Sequence, residues 1–317
     1  MVISRMVKVL ITPRSFGKYS DVAKNQLLEA GITIVNNQKG SILDEDELIE
    51  LIRDVDGVII GVDPLSERVL REAKQLKAIA KYGVGVDNID LDYCRAHDLS
   101  VSVTQNANMD AVADYAFALM LGVARKITEI NLACHQNDWT KNIAVDVYGK
   151  RLGILGFGNI GKGVALRAKG FAMDVLAYDV HPDHGFASNH GIRYASLDEI
   201  LSSCDFISIH LPLLPETRNL INKEVLVKMR KNAIIINTAR GGIIDEESLY
   251  EALVDKQIYG AGLDVFEREP AGDSPLLTLP NVIAGSHTAA STEGAVENMS
   301  NFAVVNLLND LRNKGVI

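Results

Sequence analysis

The sequence predicts an α/β protein with two doubly wound parallel sheets. Three observations predict it. Short apolar, β-branched runs alternate with amphipathic stretches along most of the chain, which is the pattern of parallel strands joined by crossover helices. A chain of 317 residues that is 47% hydrophobic carries enough core for two domains. One passage, Lys150 to Asp179, reads as strand, glycine-rich turn, helix, strand and acid, the arrangement found at the carboxyl edge of such sheets.

In order, Val7 to Thr12 is a first apolar strand, followed by loop chemistry from Thr12 to Gly17. Ser20 or Asp21 would cap a helix running through Glu29 and stopping at Gly31. Ile32 to Val35 is a second strand, Asp44 to Asp54 an acidic amphipathic helix, and Gly57 to Ile60 a third strand. Ser66 to Gln75 is helical with Ser66 as cap; Ala78 to Ala80 and Val101 to Thr104 complete five strands of one parallel unit. A second unit opens with a helix from Ala111 to Ile127. A further helix, Thr128 to Trp139, looks set to leave the body of that unit, with Trp139 as a packing anchor.

The glycine-rich passage comes next. Arg151 to Leu155 is the strand, Gly156-Phe157-Gly158-Asn159-Ile160-Gly161 the turn, Lys162 to Gly170 the helix, and Asp174 to Tyr178 the second strand. Gly156 permits the tight turn, Gly158 lets backbone approach a pyrophosphate, and Gly161 lets the helix pack on the sheet. The helix N-terminus offers unpaired N–H groups to phosphates. Asp179 falls 23 residues after Gly156, the spacing of the acid that accepts hydrogen bonds from a ribose diol. Its charge opposes a 2′-phosphate, and no Arg or Lys follows until Arg193, so the expected dinucleotide is NAD rather than NADP. Later strands are expected at Phe206 to His210, Ala233 to Asn237, Gly260 to Asp264 and Val282 to Ala284. Helices are expected at Ser196 to Leu201, Lys223 to Met229, Glu246 to Asp255 and Glu293 to Leu311.

Composition excludes some partners. A net charge of −9 argues against a nucleic acid, whose phosphates want a basic face. The three cysteines, Cys94, Cys134 and Cys204, are far apart and lack metal-site spacing, so reduced thiols and no metal are expected. There is no signal-peptide pattern, and the most apolar helix, Ala111 to Val123, is too short for a bilayer and contains Asp114. A cytoplasmic protein with no membrane partner is expected.

Ligands of open parallel sheets bind beyond the carboxyl ends of the strands. Arg240, Glu269 and His287 follow three late strands, and a glycine-rich loop, Tyr82 to Asn88, follows an early one. This set suits carbonyl reduction beside a nicotinamide. An Arg can hold a carboxylate in a bidentate contact and polarise the adjacent carbonyl. A His can exchange the proton near neutral pH, and a carboxylate beside it orients the ring and favours its charged form. Spacing alone does not assign these roles, since a single Arg, Glu or His is more often a solvated surface group.

Over nearly its whole length the chain resembles the D-2-hydroxyacid dehydrogenase family. The motifs that carry the resemblance are Tyr82-Gly83-Val84-Gly85-Val86-Asp87-Asn88-Ile89-Asp90, Leu152 through Gly161, and His210-Leu211-Pro212-Leu213 with Glu216-Thr217-Arg218. Asn237-Thr238-Ala239-Arg240-Gly241-Gly242 and Leu263 through Pro270 complete them. The resemblance implies a Rossmann NAD-binding domain, residues 105–288, inserted in a flavodoxin-like substrate domain made of residues 1–104 and 289–317. It implies catalysis by Arg240, Glu269 and His287. Asn159 and Ile160 would contact the pyrophosphate. Thr238, Ala239 and Asp264 would line the nicotinamide, and His210 would sit beside the cofactor. Val84 and Gly85 would give N–H groups to the substrate carboxylate. Domain closure would exclude water from the hydride path. A homodimer through the NAD-binding domain is also implied, with the helices near Ala111 to Ile127 at the interface.

Within the family the chain looks most like the D-3-phosphoglycerate dehydrogenases, through Arg240-Gly241-Gly242-Ile243-Ile244-Asp245 and through His287 followed by Ala290-Ser291-Thr292. Lys141 matches a cation near the phosphate, supplied by the partner subunit; Arg14 and Lys81 would add to an anion site. One departure stands out. Gly61-Val62-Asp63 occupies a place where many such enzymes carry Arg, which removes a clamp and puts a carboxylate nearby. The chain ends at Ile317 with no room for a regulatory serine-binding domain, so feedback on serine biosynthesis by that route is not expected. The alternatives are reduction of glyoxylate, hydroxypyruvate or another small 2-keto acid, an NAD(H)-sensing corepressor-like protein, and a changed hydride donor as in formate and phosphite relatives.

Overall fold

The structure, a computed structural model, describes residues 5–317. The chain divides into two compact units: one runs to Asn108 and resumes at Ser291, and the other is Met109–Ala290. The breaks expected at Thr104 and at residue 288 thus fall a few residues later.

The first unit contains β1 (Lys8–Ile11), α1 (Val22–Glu29), β2 (Thr33–Asn36), α2 (Glu45–Ile52), β3 (Gly57–Ile60), α3 (Glu67–Glu72), β4 (Ala78–Lys81), α4 (Leu91–Ala96) and β5 (Ser100–Val103). All five strands pair in parallel in the order β2-β1-β3-β4-β5. The order reverses between β1 and β3, which makes their carboxyl ends this sheet's switch point. β3 and β4 are buried along their length, as strands covered on both faces must be. Helix α2 starts where Asp44 predicts. The Asp44 carboxylate accepts from Glu47 N–H and the Glu47 carboxylate accepts from Asp44 N–H, a reciprocal cap worth about 1 kcal/mol. Ser66 precedes α3 but does not cap it; its hydroxyl donates to Glu45 instead.

The second unit contains α5 (Met109–Ala124), α6 (Ile127–His135), β6 (Arg151–Leu155), α7 (Asn159–Ala168), β7 (Asp174–Tyr178), α8 (His184–His190), β8 (Arg193–Tyr194) and α9 (Leu197–Ser203). It continues with β9 (Phe206–Ile209), α10 (Lys223–Lys228), β10 (Ile234–Asn237), α11 (Glu246–Val254), β11 (Gly260–Leu263) and β12 (Val282–Ala284). Its seven strands are all parallel, in the order β12-β11-β10-β9-β6-β7-β8. The switch lies between β6 and β9. The chain then returns to the first unit as α12 (Glu293–Asn313), whose Val304, Leu307 and Leu311 pack with Val9, Ile59 and Ala80 on one face of the first sheet. Both units are therefore doubly wound parallel sheets, the α/β class expected.

Two helical expectations need revision. Lys126 takes a left-handed conformation (φ 53°), which separates α5 from α6. Helix α6 stops at His135 rather than Trp139, because Asn137 is also left-handed and the Asp138 carboxylate folds back to accept from Thr140 N–H. No residue of α6 is buried, and no helix or strand follows until β6. Among the described residues no helix is long and apolar enough to cross a membrane, and the three thiols are unpaired.

Candidate active site

The glycine loop sits at the switch point of the second sheet. Gly156 has φ +92°, and a Cβ there would meet the His210 carbonyl oxygen at 2.5 Å, so it is fixed both by its dihedral and by the chain leaving β9. Gly161 packs against the Gly156 carbonyl with no room for a side chain. Gly158 differs: a Cβ added there would have nothing within 4 Å. It stands at the N-cap of α7, where no side chain caps the helix start. The Asp179 carboxylate accepts from Phe157 N–H at 2.6 Å and from His181 N–H at 2.8 Å, tying the acid to the loop it serves.

These features fit a dinucleotide. The uncapped helix end and open Gly158 are suited to a pyrophosphate. Two buried polar atoms without a partner, His210 Nδ1 and Thr238 Oγ1, lie just beyond the neighbouring strands β9 and β10. Native interiors rarely leave such atoms unsatisfied, and a bound ligand is one way to satisfy them. Burial pushes the His210 ring down to about 3, so it is a neutral hydrogen-bonding group, held at Nε2 by the Ser208 hydroxyl at 2.8 Å. Asn159, Ile160 and Ala239 lie on the same carboxyl edge, at the start of α7 and just after β10.

The same edge carries the three candidate catalytic groups. Asn237 shapes the turn after β10: its Oδ1 accepts from Ala239 N–H and its Nδ2 donates to the Arg240 carbonyl. Gly241 presses against the Phe266 carbonyl so closely that no Cβ fits, which holds the loop after β10 against the loop after β11. Arg240 and Glu269 are thereby brought within electrostatic reach of each other. His287 Nδ1–H donates to Glu269 Oε2 at 2.7 Å, and Glu269 Oε1 accepts from Phe266 N–H at 3.1 Å. Burial raises the Glu269 carboxyl, but the hydrogen bond and charge of His287, the Phe266 N–H and Arg240 outweigh it, and the net shift is downward. With Nδ1 committed, His287 Nε2 is the nitrogen that can exchange a proton. Asp264 is 1% exposed and spends both carboxylate oxygens on backbone N–H groups just after His287. Burial pushes its carboxyl up despite them.

In the first unit, the N–H groups of Val84 and Gly85 donate to no acceptor among the described residues, and Val84 is 42% exposed. Gly83, left-handed at φ 127°, and its hydrogen bonds to Thr104 set this loop. Lys81 is not an open cation. It is 5% exposed, and its ammonium donates to the Gly61 carbonyl and to Asn88 Oδ1. The Asp63 carboxylate does not oppose a ligand either. It is buried, accepts from Leu43 N–H at 2.8 Å and is hydrogen-bonded by the Thr12 hydroxyl. Arg14 is exposed and makes no ion pair among the described residues. Lys141 is exposed in the segment after α6, and Trp139 is 79% exposed, so it anchors nothing within the chain.

Sequence reading singles out neither Asn237 nor Tyr115 for a role. Asn237 is inside a recognised motif, and its amide geometry is the missing signal. Tyr115, whose hydroxyl lies where a Gly285 Cβ would collide, sits mid-helix in α5 and gives no signal in the sequence. No group of three or more His, Cys, Asp or Glu among the described residues is placed to hold a metal.

Residues 117–289 match the model of the D-isomer specific 2-hydroxyacid dehydrogenase NAD-binding domain. The chain is 41% identical over 257 residues to a D-3-phosphoglycerate dehydrogenase of Methanocaldococcus jannaschii, covering 80% of this chain but 49% of that one. It is 41% identical over 260 residues to a hydroxypyruvate reductase of Thermotoga maritima, covering 80% of this chain and 84% of that one. The chain thus spans about half the length of the first relative and most of the second. Among solved structures, the TT0316 protein of Thermus thermophilus is 35% identical with a TM-score of 0.88, covering 97% of each chain.

Proposed function

Since the chain belongs to the D-isomer specific 2-hydroxyacid dehydrogenase family, we propose that it is an NAD-dependent oxidoreductase interconverting a small 2-hydroxy acid and its 2-keto acid. The observation that carries this reading is the 2.7 Å bond from His287 to Glu269, formed beside Arg240 on the same sheet edge as the glycine loop. When bound, the nicotinamide exchanges a hydride with the substrate's C2. In the reductive direction, Arg240 holds the carboxylate and draws charge from the C2 carbonyl. His287 Nε2–H gives its proton to the carbonyl oxygen as the hydride reaches carbon, and a hydroxyl results. Glu269 keeps the ring oriented and stabilises it while charged. Oxidation reverses each step. The roles of Val84 and Gly85 as carboxylate donors rest on the resemblance, supported by their unengaged N–H groups.

For the substrate we favour 3-phosphoglycerate and 3-phosphohydroxypyruvate. The run from Arg240 to Asp245 supports this, as do two exposed cations, Arg14 and Lys141, with the carboxylate of Asp63 taken up inside the protein. A second reading, hydroxypyruvate or glyoxylate, is favoured by Gly61, which supplies no cationic side chain and is flanked by the Asp63 carboxylate and Pro13. We also propose a homodimer. Within 17 residues of sequence, on α6 and the segment after it, Leu132, Trp139, Ile143 and Tyr148 are 62%, 79%, 93% and 72% exposed, and a partner subunit is one way to cover them. By contrast α5 turns most of its residues into its own unit. Sedimentation equilibrium of wild type and Ile143→Asp tests this part. The substrate is tested by NADH oxidation with 3-phosphohydroxypyruvate, hydroxypyruvate, glyoxylate and pyruvate, using wild type and His287→Ala. Preference for the phosphorylated acid supports the first reading, preference for the others the second. NADH binding without turnover of any acid would favour an NAD(H)-sensing protein.

A further inference from the structure

Strand β11 ends at Leu263, and the next residue, Asp264, gathers three consecutive backbone N–H groups from the chain leaving β12. The Asp264 carbonyl accepts from His287 N–H at 2.8 Å. Its Oδ1 accepts from Thr288 N–H at 3.0 Å and its Oδ2 from Ala289 N–H at 2.8 Å. Between these contacts the backbone turns left-handed at His287, with φ 55°. A non-glycine residue in that region is uncommon and persists only where its surroundings enforce it. Consecutive N–H groups turned to one side of such a bend form a concavity for an anion. Here the anion comes from the protein itself. Ala289 is 5% exposed, so its N–H has no ready exchange with water if the carboxylate is withdrawn.

The space around the carboxylate is closed. A Cβ built on Gly285 would run into Asp264 Oδ1 and would lie 2.7 Å from the Tyr115 hydroxyl. Gly285 is thus the residue that admits the carboxylate to the turn. Each oxygen of Asp264 thus commits one acceptor site to the turn and keeps another, and family resemblance puts the residue among the groups lining a nicotinamide.

We infer that Asp264 is a positioning residue for the proton-transfer group: it fixes the left-handed turn that presents His287 to Glu269, and Gly285 is conformationally coupled to it. This rests on the proposed dehydrogenase reading for its catalytic consequence but not for its structural one. The carboxamide of Asp264→Asn keeps one acceptor and sets an NH2 against the second N–H donor. Gly285→Ala crowds the same oxygen from the other side. Both variants should lower kcat about tenfold to a hundredfold while leaving KM and NADH affinity within about twofold. The double variant should be no worse than Asp264→Asn alone, because both changes break one contact set. Hydrogen exchange reads the turn without turnover. The Thr288 and Ala289 amides should be protected in the wild type and lose that protection in either variant, with the α7 amides unchanged.

Outcomes separate cleanly. A wild type that turns over no acid overturns the dehydrogenase reading, and the exchange data still decide the role of Asp264. Loss of NADH affinity in Asp264→Asn with kcat per bound cofactor preserved would make it a cofactor ligand and overturn the inference. So would fast wild-type exchange at residues 288 and 289, or additive effects in the double variant. A global rise in exchange in Asp264→Asn would indicate a merely structural role and count against positioning, with Gly285→Ala as the milder check.

Discussion

The two switch points of this chain are built oppositely. At the carboxyl ends of β6 and β9 the protein leaves polar groups unspent: an uncapped helix start at Gly158, a buried His210 Nδ1 and a buried Thr238 hydroxyl. At the carboxyl ends of β1 and β3 it spends them on itself. Gly61 N–H donates to the Thr12 hydroxyl, the Thr12 hydroxyl to Asp63, and the side chains of Lys81 and Asn88 both reach the Gly61 carbonyl. Open groups in the loops beyond these strands are backbone, at Val84 and Gly85, and the exposed Arg14. The same sheet architecture thus makes one edge fit to receive a large polar ligand and the other a braced support for a small loop. Connectivity gives the place for a site, and the local hydrogen-bond account decides what the place can hold.

The largest expected effect falls where the unspent edge meets the chemistry. His287→Ala should lower kcat by about 10²- to 10⁴-fold while NADH affinity holds. Arg240→Lys should cost nearly as much, because an ammonium cannot reproduce a bidentate grip on a carboxylate. Steady-state kinetics with NADH titrations by fluorescence measure both. If either variant lost cofactor binding first, that edge would not divide into a cofactor part and a proton-transfer part.

The glycine loop sharpens the contrast. Gly156→Ala combines a φ of +92° with a collision against backbone that cannot yield, and should cost about 3 kcal/mol or more in unfolding free energy. Gly158→Ala meets nothing, so its stability should change by about 0.5 kcal/mol at most. Yet NADH affinity should fall about tenfold, as the new methyl stands where phosphate must approach. Urea unfolding beside NADH titration decides it. Equal stability losses in the two variants would show that Gly158 is structural too.

How much of this contrast can be read in the sequence differs by type of feature. Strands β3, β6 and β7 fall where their apolar runs put them, since a buried parallel strand leaves an uninterrupted signature. Helices α4 and α8 leave no such signature, being one to two turns long and begun by Asp90 and Asp183 caps rather than by a periodic face. Motifs locate Arg240, Glu269 and His287 and suggest that the carboxylate orients the imidazole, but they do not give the left-handed turn at His287 that aims it. Asp63 shows the limit most directly. In sequence it is a charge beside an anion site, and in the fold it is a buried acceptor. Only long-range contacts, to Thr12 and Leu43, make that difference.

The spent edge has its own test. Asp63→Asn replaces a carboxylate that accepts from both Thr12 and Leu43 by an amide that can accept from only one, and should lower stability by about 1–3 kcal/mol. Because this brace belongs to the first unit, KM for the acid should rise while NADH affinity stays put. Calorimetry and kinetics on the one variant read both. A fall in NADH affinity, with KM unchanged, would break the assignment of cofactor and substrate to different edges.

The smallest effect concerns pH and the half-buried His210. Burial lowers its ring from 6.5 to about 3, so the folded protein keeps it neutral while the unfolded chain protonates it below 6.5. The unfolded state then binds the extra proton, and stability must fall as pH drops from 6.5 towards 3. Glu269, also lowered on folding, acts in the same sense in a more acid window. Its contribution is present above the ordinary Glu value of about 4.3 and is lost as pH falls through the lowered one. His210→Asn leaves Glu269 in place, so the difference in melting temperature between wild type and variant isolates the imidazole. That difference should be constant above about pH 7 and shift in favour of the variant between about pH 6.5 and about 4. A flat difference across that range would mean the ring gains a partner for its charged form, and the unspent edge would then be smaller by one group.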